Sequence, residues 1–411
     1  MAIRVLLFTQ WFDPEPTFKG LVFARELVRQ GFEVEVLTGF PNYPGGKVYP
    51  GYKIKLLQRE VIDGVYVTRV PLYPNHGQSA IKRVLNYASF AAASLVYGLF
   101  FAQRANVIYA YHPPLTVGIA ASLIRLFRGI PVVYDIQDMW PDTLRATGML
   151  TNPRALSWVA GLCLWVYRHV DHIVVLSPGF KRLLIQRGVA SAKVDVIFNW
   201  ADEAALAPRQ GQVPPNFPGP EKFRIVFAGN IGKAQALTTV LEAATLLLAR
   251  GSRICFVMLG GGVEVPRLKQ IALDMHLPNV LFLPSVPMYE VGSFLSEADA
   301  LLVHLCKDPL FEITIPSKTQ AYMAVGKPLL MAVSGDAADL VLQSGAGVIA
   351  ESENARALMQ AAEELAAMSP AALLEMGRNA KIYYQEHLAL NVGVAKFGTI
   401  FRTTSATNQA K

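Results

Sequence analysis

The sequence predicts an α/β protein made of two doubly wound parallel-sheet domains in tandem. Its 411 residues exceed the usual size of one domain, so two separate cores are expected. Short apolar, β-branched runs alternate with longer helical patterns throughout, as in βαβ units. A polar stretch rich in Pro and Gly at 208–221 predicts a linker. We expect Rossmann-like domains at 1–205 and 206–387 that face each other across a cleft. A helix at about 388–404 is a candidate to pack back onto the first domain.

The first half opens on an apolar run that is too short for a signal peptide and leads into Asp13 and Glu15, so we interpret it as a buried strand. Strands are predicted at residues 4–9, 33–38, 65–70, 107–111, 132–136, 172–176 and 194–198. Helices are predicted near residues 21–30, 81–103, 115–127, 155–168 and 179–187.

After the predicted linker the alternation starts again. Strands are predicted at residues 224–228, 255–259, 280–282, 300–303, 329–332 and 347–349. Helices are predicted near residues 237–249, 265–275, 288–295, 317–325, 338–343, 355–367 and 371–387. Ligands of such sheets bind outside the carboxyl ends of the strands, where glycine turns let backbone N–H groups approach phosphates.

Composition narrows the class of protein. Hydrophobic residues make up 52% of the chain and charged residues 17%, which excludes a disordered chain. The cysteines, Cys163, Cys255 and Cys306, have neither metal-ligand spacing nor an even number. They therefore predict no disulfide framework and no metal site, and they suggest a reducing cytoplasm.

Charge is distributed unevenly along the chain. Residues 1–200 contain 21 Lys and Arg against 12 Asp and Glu, a net charge of +9, whereas the remainder has a net charge of −2. Such asymmetry favours an anionic partner, either nucleic acid or a membrane surface. No nucleic-acid-binding motif is present, so the membrane surface is preferred.

Glycine-bearing turns suggest where phosphates bind. The turn after the first strand, 10–16, lacks the G-x-G-x-x-G pattern of dinucleotide dehydrogenases, which disfavours that class. The strand that opens the second half leads into a loop with Gly229, Asn230 and Lys233 and then into a helix. This loop could cradle a phosphate or be an ordinary turn. Gly260 and Gly261 follow the next strand and permit close backbone approach.

The segment 314–328 contains a possible anion site. Pro316 and Ser317 are residues that start helices, so free N–H groups and the positive end of the helix dipole would face outward. Lys318 adds a full positive charge, which suits a diphosphate. The alternative is an ordinary helix cap.

Nearly the whole chain resembles the retaining GT-B glycosyltransferases of family 4, in particular the bacterial O-antigen, capsule and colanic-acid-type branch. The order and spacing of the matching segments agree over about 400 residues. The segments are 40–46 (FPNYPGG), 135–141 (DIQDMWP), 198–202 (FNWAD), 229–232 (GNIG), 316–318 (PSK) and 322–324 (YMA).

This resemblance implies a glycosyltransferase without an essential metal or other cofactor. The second domain would bind a nucleoside-diphosphate sugar, and the first would bind the acceptor. Amino-sugar donors are frequent in the branch, which favours a UDP-N-acetyl sugar. The acceptor implied is a polyprenyl-linked glycan of a bacterial surface polysaccharide. The donor-binding candidates are Gly229, Asn230, Lys233, Gly260, Gly261, Pro316, Ser317, Lys318 and Tyr322.

The sequence departs from the family at its acidic pair, E-x7-E. Ile313 and Ala321 occupy those positions, and Glu312 is the adjacent candidate for a catalytic acid. The family's basic pair is also replaced, by Asn230 and Gln235. Lys233 and Lys318 therefore remain as the cations that could neutralise the diphosphate.

On the acceptor side the candidates are Gly20, His112, Gln137 and Asp138. Gln137 stands where many family members have histidine, and Asp138 is our candidate for orienting or deprotonating the acceptor hydroxyl. His112 precedes two prolines at a strand end, so a catalytic and a structural role are both open. The catalytic candidates are thus Asp138, Lys318 and Glu312.

The segment from Val84 to Gln103 contains no charged residue, and Lys82, Arg83 and Arg104 flank it. Its length would permit a membrane span. We instead expect a helix on the sheet whose outer face rests on anionic lipid, with a fully buried helix as the alternative. The enzyme would then act in the cytoplasm, peripherally bound to the inner face of the cell membrane.

Two other functions remain open. A GT-B-shaped nucleotide-sugar 2-epimerase would bind the same donor without a lipid acceptor. A non-catalytic subunit of a glycan-assembly complex is compatible with Ile313 and Ala321 in place of the acids.

Overall fold

The computed structural model of the protein describes residues 2–77, 79–208 and 216–409. The chain divides into two compact units. Unit 1 contains the residues up to Phe198 together with those from Leu390 onward, and unit 2 is Asn199–Ala389. Half of the predicted linker, residues 209–215, lies outside the described residues.

Unit 1 is built on an eight-stranded sheet. Its described strands are β1 Arg4–Phe8, β2 Glu33–Gly39, β3 Gln58–Ile62, β4 Val65–Val70, β5 Val107–His112, β6 Val132–Ile136, β7 His172–Val175 and β8 Val194–Val196. The spatial order is β3-β4-β2-β1-β5-β6-β7-β8, and every neighbouring pair is parallel except β3 and β4. The central strands are apolar runs buried on both faces, as expected for parallel strands covered by helices.

Strand β3 was not predicted. Its residues alternate between exposed and half-buried, so it has no apolar run. It pairs with β4 through a two-residue turn in which Asp63 and Gly64 both have positive φ, 47° and 83°. Asp-Gly is a strong sequence signal for such a hairpin. In the sequence, the turn and not the strand therefore indicates the antiparallel edge.

Helices cover both faces of the unit 1 sheet. They are α1 Leu21–Arg29, α2 Ala80–Phe100, α3 Leu115–Arg128, α4 Asp142–Ala146, α5 Pro153–His169 and α6 Pro178–Gln186. The start of α5 follows capping rules. The side chain of Asn152 accepts hydrogen bonds from the N–H groups of Arg154 and Ala155, and Pro153 occupies the first helical position.

Helix α2 is the uncharged segment noted in the sequence. One face packs on the protein through buried Asn86, Phe90 and Tyr97. The opposite face is exposed along the helix length, and we call its residues the outer stripe: Ile81, Leu85, Ala88, Ala92, Val96 and Phe100. The alternative of a fully buried helix is therefore wrong. No helix among the described residues is long and apolar enough to cross a bilayer.

Unit 2 is built on a six-stranded sheet. Its described strands are β9 Phe223–Ala228, β10 Ile254–Leu259, β11 Val280–Leu283, β12 Ala300–His304, β13 Leu329–Ala332 and β14 Gly347–Ile349, in the order β11-β10-β9-β12-β13-β14 and all parallel. Its helices are α7 Glu203–Leu206, α8 Thr238–Ala249, α9 Val265–Asp274, α10 Met288–Ser296, α11 Pro309–Glu312, α12 Ser317–Val325, α13 Asp336–Ser344, α14 Ala355–Ala367 and α15 Pro370–Tyr383.

The last helix, α16, spans Leu390–Gln409 and belongs to unit 1 although it follows unit 2 in the sequence. It packs on α1 and on β5 and β6. Phe397 lies 5.3 Å from Phe23 and 5.4 Å from Tyr109 between ring centroids, and Phe401 lies 5.8 Å from Tyr109. These rings form an aromatic layer under the sheet.

Each sheet has a switch point where the strand order reverses direction. In unit 1 it lies between β1 and β5, and in unit 2 between β9 and β12. Loops diverge there at the carboxyl ends of the strands, which leaves a crevice that suits a ligand. The candidate residues of both units are found near these two crevices.

Candidate active site

The unit 2 crevice is lined by glycine backbone. Gly229 follows β9 with φ 127°, and Gly260 follows β10 with φ 147°. A Cβ on Gly260 would lie 2.0 Å from the carbonyl oxygen of Gly229, and one on Gly262 would lie 2.2 Å from that of Ile231. The N–H of Ile231 donates to the carbonyl of Gly261 at 2.7 Å, which joins the two loops. Only glycine permits this close approach.

Lys318 extends over the glycine of the first loop. A Cβ on Gly229 would lie 2.9 Å from Lys318 Cε and 3.2 Å from its Nζ. The ammonium also lies 4.8 Å from the ring centroid of Phe227. Burial lowers the pKa of Lys318 to about 8. Within the described part of the chain no carboxylate pairs with it, so the site holds a partly desolvated cation without a counter-ion.

Helix α12 supplies the setting of this lysine. Pro316 is the N-cap, Ser317 is the first helical residue, and no side chain caps the helix start. When the side-chain amide of Gln320 is oriented so that both its oxygen and its nitrogen have partners, the nitrogen donates to the carbonyl of Pro316 at 2.7 Å. This bond fixes the turn. The first N–H groups of α12 and Lys318 thus occur in the same turn, as the sequence predicted.

Tyr322 acts one layer below the crevice. Its hydroxyl is buried, accepts from the N–H of Ala228 at 2.8 Å and lies 3.3 Å from the carbonyl of Ala228. The side chain therefore anchors the end of β9 to α12. Tyr322 is thus the donor-binding candidate that positions the glycine loop. Its hydroxyl is already hydrogen-bonded to the backbone of Ala228.

The other donor-side candidates lie at the surface. Asn230 and Lys233 are exposed, and Gln235 closes their loop by accepting from the N–H of Gly232 at 3.0 Å. Glu312 ends α11 with an exposed side chain, and no ion pair joins it to Lys318. The structure thus brings Gly229, Gly260, Gly261 and Lys318 together, with Asn230, Lys233 and Glu312 outside this group.

Sequence reasoning missed His304, the last residue of β12. Its ring is buried, and its Nδ1 lies 2.8 Å from the carbonyl of Gln235, which can only accept. Burial lowers the pKa of His304 to about 4, so the ring is neutral and Nδ1 bears the proton. Nε2 is left as an unprotonated acceptor without a protein partner. Its signal in the sequence was a polar residue at the end of an apolar strand.

The acceptor-side candidates Asp138 and His112 follow neighbouring strands of unit 1. Asp138 lies just after β6 and is largely enclosed, and its carboxylate accepts no hydrogen bond from the described residues. Burial raises its pKa. A carboxylate of raised pKa and free oxygens can orient or accept a proton from a hydroxyl.

His112 ends β5 between two aromatic rings. Trp140 and Tyr134 lie 5.3 and 5.8 Å away, both edge-on. Burial lowers the pKa of His112 to about 3, so it is neutral, and its buried Nδ1 has no protein partner. The surrounding aromatic rings account for a structural role of His112. Its unpaired Nδ1 is also compatible with a catalytic role.

The buried carboxylate of Asp135 hydrogen-bonds three side chains at the same edge of the sheet. Its Oδ2 accepts from the ammonium of Lys19 and from the hydroxyl of Tyr109, each at 2.5 Å, and its Oδ1 accepts from the amide of Gln137 at 2.7 Å. Lys19 and Asp135 are both fully buried. Gln137, predicted on the acceptor side, therefore belongs to this internal network, which sequence separation had hidden.

Gly20 stands at the start of α1. Asp13 Oδ2 accepts from the N–H of Leu21 at 2.7 Å, and a Cβ on Gly20 would lie 2.2 Å from that oxygen. The glycine is needed because the carboxylate of Asp13, seven residues upstream, caps the helix. This predicted acceptor-side residue has a structural role in the described geometry.

Two family models match the chain and together span most of it. The glycosyl transferase 4-like domain matches residues 21–200, and the glycosyl transferases group 1 domain matches residues 212–382. The chain belongs to the glycosyltransferases that combine these two domains. Unit 1 of the enzyme thus contains nearly all of the 4-like domain, and unit 2 contains the whole of the group 1 domain. The resemblance inferred from the motifs is confirmed.

Known relatives of the glycosyltransferase agree. WcaI of Escherichia coli K12, named for colanic acid biosynthesis, is 29% identical over 343 residues, which cover 79% of this chain and 82% of WcaI. WcaL of the same organism, also named for colanic acid biosynthesis, is 25% identical over 206 residues, 50% of this chain and 49% of WcaL.

Solved structures with the same fold cover the whole enzyme. Sucrose-phosphate synthase from Thermosynechococcus elongatus superposes with a TM-score of 0.73 at 15% identity, over 99% of this chain and all of that one. HepE from Anabaena, in complex with UDP-glucose, superposes with a TM-score of 0.66 at 14% identity over all of both chains. The predicted GT-B fold class is confirmed.

Proposed function

We propose that the enzyme transfers a sugar, with retention of configuration, from a UDP-linked donor to a lipid-linked glycan of a colanic-acid-type surface polysaccharide. The observation that carries the proposal is the glycine-lined crevice of unit 2, over which Lys318 holds an unpaired, half-buried positive charge. A diphosphate would supply the missing negative charge and accept from backbone N–H groups. An N-acetylated amino sugar is the donor sugar we propose.

The relatives support this assignment. HepE was solved with UDP and with UDP-glucose, and WcaI and WcaL are named for colanic acid biosynthesis. The neutral His304 adds a hydrogen-bond acceptor at the neighbouring strand end, which suits a hydroxyl of a nucleotide sugar.

In the proposed reaction, the bond between the anomeric carbon and the diphosphate oxygen breaks as a bond to the acceptor oxygen forms on the same face. Lys318 and the start of α12 stabilise the charge that develops on the departing diphosphate. Asp138 orients the acceptor hydroxyl or removes its proton. Tyr322 and the glycines hold the loops in place before substrate arrives.

The deciding experiment measures release of nucleoside diphosphate with and without a polyprenyl-linked acceptor, after a thermal-shift screen of nucleotide sugars. Acceptor-dependent UDP release supports the proposal. Release of UDP, or formation of the epimeric sugar, in the absence of acceptor would indicate the 2-epimerase. Donor binding without any turnover would indicate a non-catalytic subunit.

Replacing Asp138 with Asn should lower turnover tenfold or more, because the loss of one charge-assisted hydrogen bond costs about 1.5 kcal/mol. Stabilisation by UDP should be unchanged, since the residue lies in unit 1. The wild-type rate should fall on the acid side, through a pKa above the usual range of an aspartate, because burial favours the protonated form. Steady-state rates of both proteins between pH 4 and 8 check this. A variant with wild-type rates would assign the proton transfer elsewhere.

Turnover should survive EDTA. We expect this because the unpaired Lys318 and the start of α12 provide the positive charge that a metal ion supplies at other diphosphate sites. Among the described residues no three His, Cys, Asp or Glu side chains converge on a possible metal position. Activity that disappears in chelator and returns with magnesium or manganese would contradict the prediction.

We further propose that unit 1 docks on the cytoplasmic face of an anionic membrane through the outer stripe of α2. The stripe is apolar along the whole helix, and Ile81 and Phe100 are both 75% exposed. Phe127 at the end of α3 adds an exposed ring near the C-terminal end of α2, because Arg128 donates to the carbonyls of Gly98 and Ala102 and joins the two helix ends. The positive charge of the first half favours anionic lipid as the occupant.

Flotation with liposomes tests this docking. Wild type should float with anionic vesicles at low salt and less at high salt, because each surface cation contributes about 1 kcal/mol that salt screens. Lys82→Glu/Arg83→Glu and Val96→Ser/Phe100→Ser should both float less. Lys53→Glu/Lys55→Glu is the matched control, with the same charge change on an exposed segment elsewhere in unit 1. If wild type never floats, or the control behaves like the α2 variants, the stripe is not the docking surface.

A further inference from the structure

A cluster of aromatic rings lies at the carboxyl edge of the unit 1 sheet, apart from Asp138 and His112. Trp11 stacks on Tyr43 with ring centroids 4.7 Å apart. His76 lies 5.1 Å from Tyr43 and 6.0 Å from Trp11, and Tyr87 lies 6.4 Å from His76 and 6.5 Å from Trp11. We call these four side chains the aromatic cluster.

The aromatic cluster is assembled from four separate parts of unit 1. Trp11 follows β1, Tyr43 follows β2, His76 precedes α2, and Tyr87 lies on α2. All four side chains are half-buried, unlike the fully enclosed rings of the sheet core. Rings at strand ends that keep part of their surface open are typical of ligand sites.

Two polar atoms of the cluster have no partner. Trp11 Nε1 and His76 Nε2 are both enclosed, and neither makes a hydrogen bond with the protein. A buried indole N–H normally finds an acceptor. Burial and the neighbouring charge of Arg83 lower the pKa of His76, so its ring is neutral and Nε2 can serve as donor or acceptor, according to the tautomer. The cluster thus offers aromatic surface together with two unused hydrogen-bonding atoms.

The backbone that holds the cluster is fixed from below. Glu15 is buried, and its Oε1 accepts from the N–H groups of Asn42 and Tyr43, each at 2.7 Å. Tyr49 donates from its hydroxyl to the carbonyl of Tyr43 at 2.6 Å. A Cβ on Gly46 would lie 2.5 Å from the backbone nitrogen of His76, so these two segments touch. Such a network holds the backbone of the aromatic cluster in position before a ligand binds.

We propose that the aromatic cluster is a carbohydrate subsite that binds a pyranose ring of the acceptor glycan. The apolar face of the sugar would lie against the open part of an aromatic ring. A small rotation of the side chains would let its hydroxyls pair with Trp11 Nε1 and His76 Nε2, which are enclosed in the structure. An isoprenoid chain fits less well, because it would leave both nitrogens unpaired. The inference rests on the proposed function, since it names part of the acceptor.

The position along the sheet edge suits this assignment. Trp11 follows β1 and Asp138 follows β6, with β5 between those two strands. Two strand spacings correspond to about 10 Å. A sugar at the cluster would therefore lie beside the acceptor hydroxyl that Asp138 contacts, rather than at the same point. The subsite would recognise a sugar of the acceptor other than the one that reacts.

Fluorine NMR of the full-length enzyme labelled with 5-fluorotryptophan tests the subsite without any need for turnover. The chain has five tryptophans, and Trp11→Phe identifies the Trp11 resonance. Methyl glycosides of glucose, galactose, fucose and N-acetylglucosamine are added up to about 0.1 M, since single sugars bind weakly. At least one should shift the Trp11 resonance and leave that of exposed Trp158 unchanged. His76→Ala should weaken this binding about fivefold without lowering the melting temperature.

The proposal is overturned if no glycoside shifts the Trp11 resonance, or if farnesyl phosphate shifts it and the glycosides do not. It is also overturned if His76→Ala leaves the glycoside affinity unchanged. Thermal stabilisation by UDP is measured on the same protein. If a glycoside shifts the Trp11 resonance but UDP does not stabilise the protein, the proposed donor is contradicted while the carbohydrate subsite is supported. Failure of the subsite can therefore be distinguished from failure of the proposed function.

Discussion

Lys318→Ala should lower kcat/KM for the nucleotide sugar by about a hundredfold, because one well-placed cation in a desolvated site contributes about 3 kcal/mol to transition-state stabilisation. The melting temperature of the free enzyme should not fall. Burial lowers the pKa of Lys318 to about 8, so its charge is a cost to the empty folded state. The unfolded chain binds more protons between about pH 8 and the usual pKa of lysine, and this cost therefore disappears as pH rises through that window.

The same pKa predicts a pH dependence. The wild-type kcat/KM should decline above about pH 8 as the ammonium loses its proton, by at most tenfold per pH unit. Lys327→Ala is the matched control, because Lys327 is also half-buried and lies just past the other end of α12. Initial rates against donor concentration, with UDP thermal shifts, measure both effects. Equal losses in the two variants, or an active Lys318→Ala enzyme, would remove Lys318 from the diphosphate site.

Asp135→Ala should destabilise unit 1 by about 3–5 kcal/mol, since it leaves the ammonium of Lys19 buried without its counter-ion. The hydroxyl of Tyr109 and the amide of Gln137 lose their acceptor at the same time. Because a domain is stable by only about 5–15 kcal/mol, much of unit 1 should unfold at moderate temperature. Urea unfolding followed by tryptophan fluorescence measures the change.

Glu33→Ala is the control for this substitution. It breaks the ion pair between Glu33 and Arg4, whose side chains are 53% and 37% exposed, and such a pair contributes at most about 1 kcal/mol. Lys19→Met/Asp135→Leu, which removes both charges, should recover part of the loss. If Asp135→Ala unfolds at the same urea concentration as Glu33→Ala, the buried pair is not a principal source of stability.

Local patterns made much of this fold predictable. Apolar runs marked nearly all strands because both sheets, apart from the β3–β4 edge, are parallel and covered on both faces. The glycine turns and the start of α12 also followed from local chemistry, so the group around Gly229 and Lys318 could be assembled from the sequence. Whether these residues bind the donor remains a prediction.

Long-range pairs were not predictable in the same way. Lys19 and Asp135 lie 116 positions apart, and a lysine before a helix and an aspartate at a strand end each suggest a solvated charge until the fold joins them. The structural roles of Gly20 and Gln137 come from nearby partners, Asp13 and Asp135, but no motif marks these pairs in the sequence. His304 lacked a motif, because its significance comes from the carbonyl of Gln235, which fixes its tautomer.

The discontinuity of unit 1 bears on how the protein is made. Helix α16 supplies Phe397 and Phe401, which cover Tyr109, and Phe397 also lies 4.9 Å from the ammonium of Lys19. Roughly 190 residues of unit 2 separate it from the rest of unit 1 in the sequence. At about 5–20 residues per second, a ribosome needs on the order of 10–40 s to synthesise them. During that interval the nascent unit 1 would expose an aromatic face and an incompletely covered ion pair, so we expect it to bind chaperones until translation reaches α16.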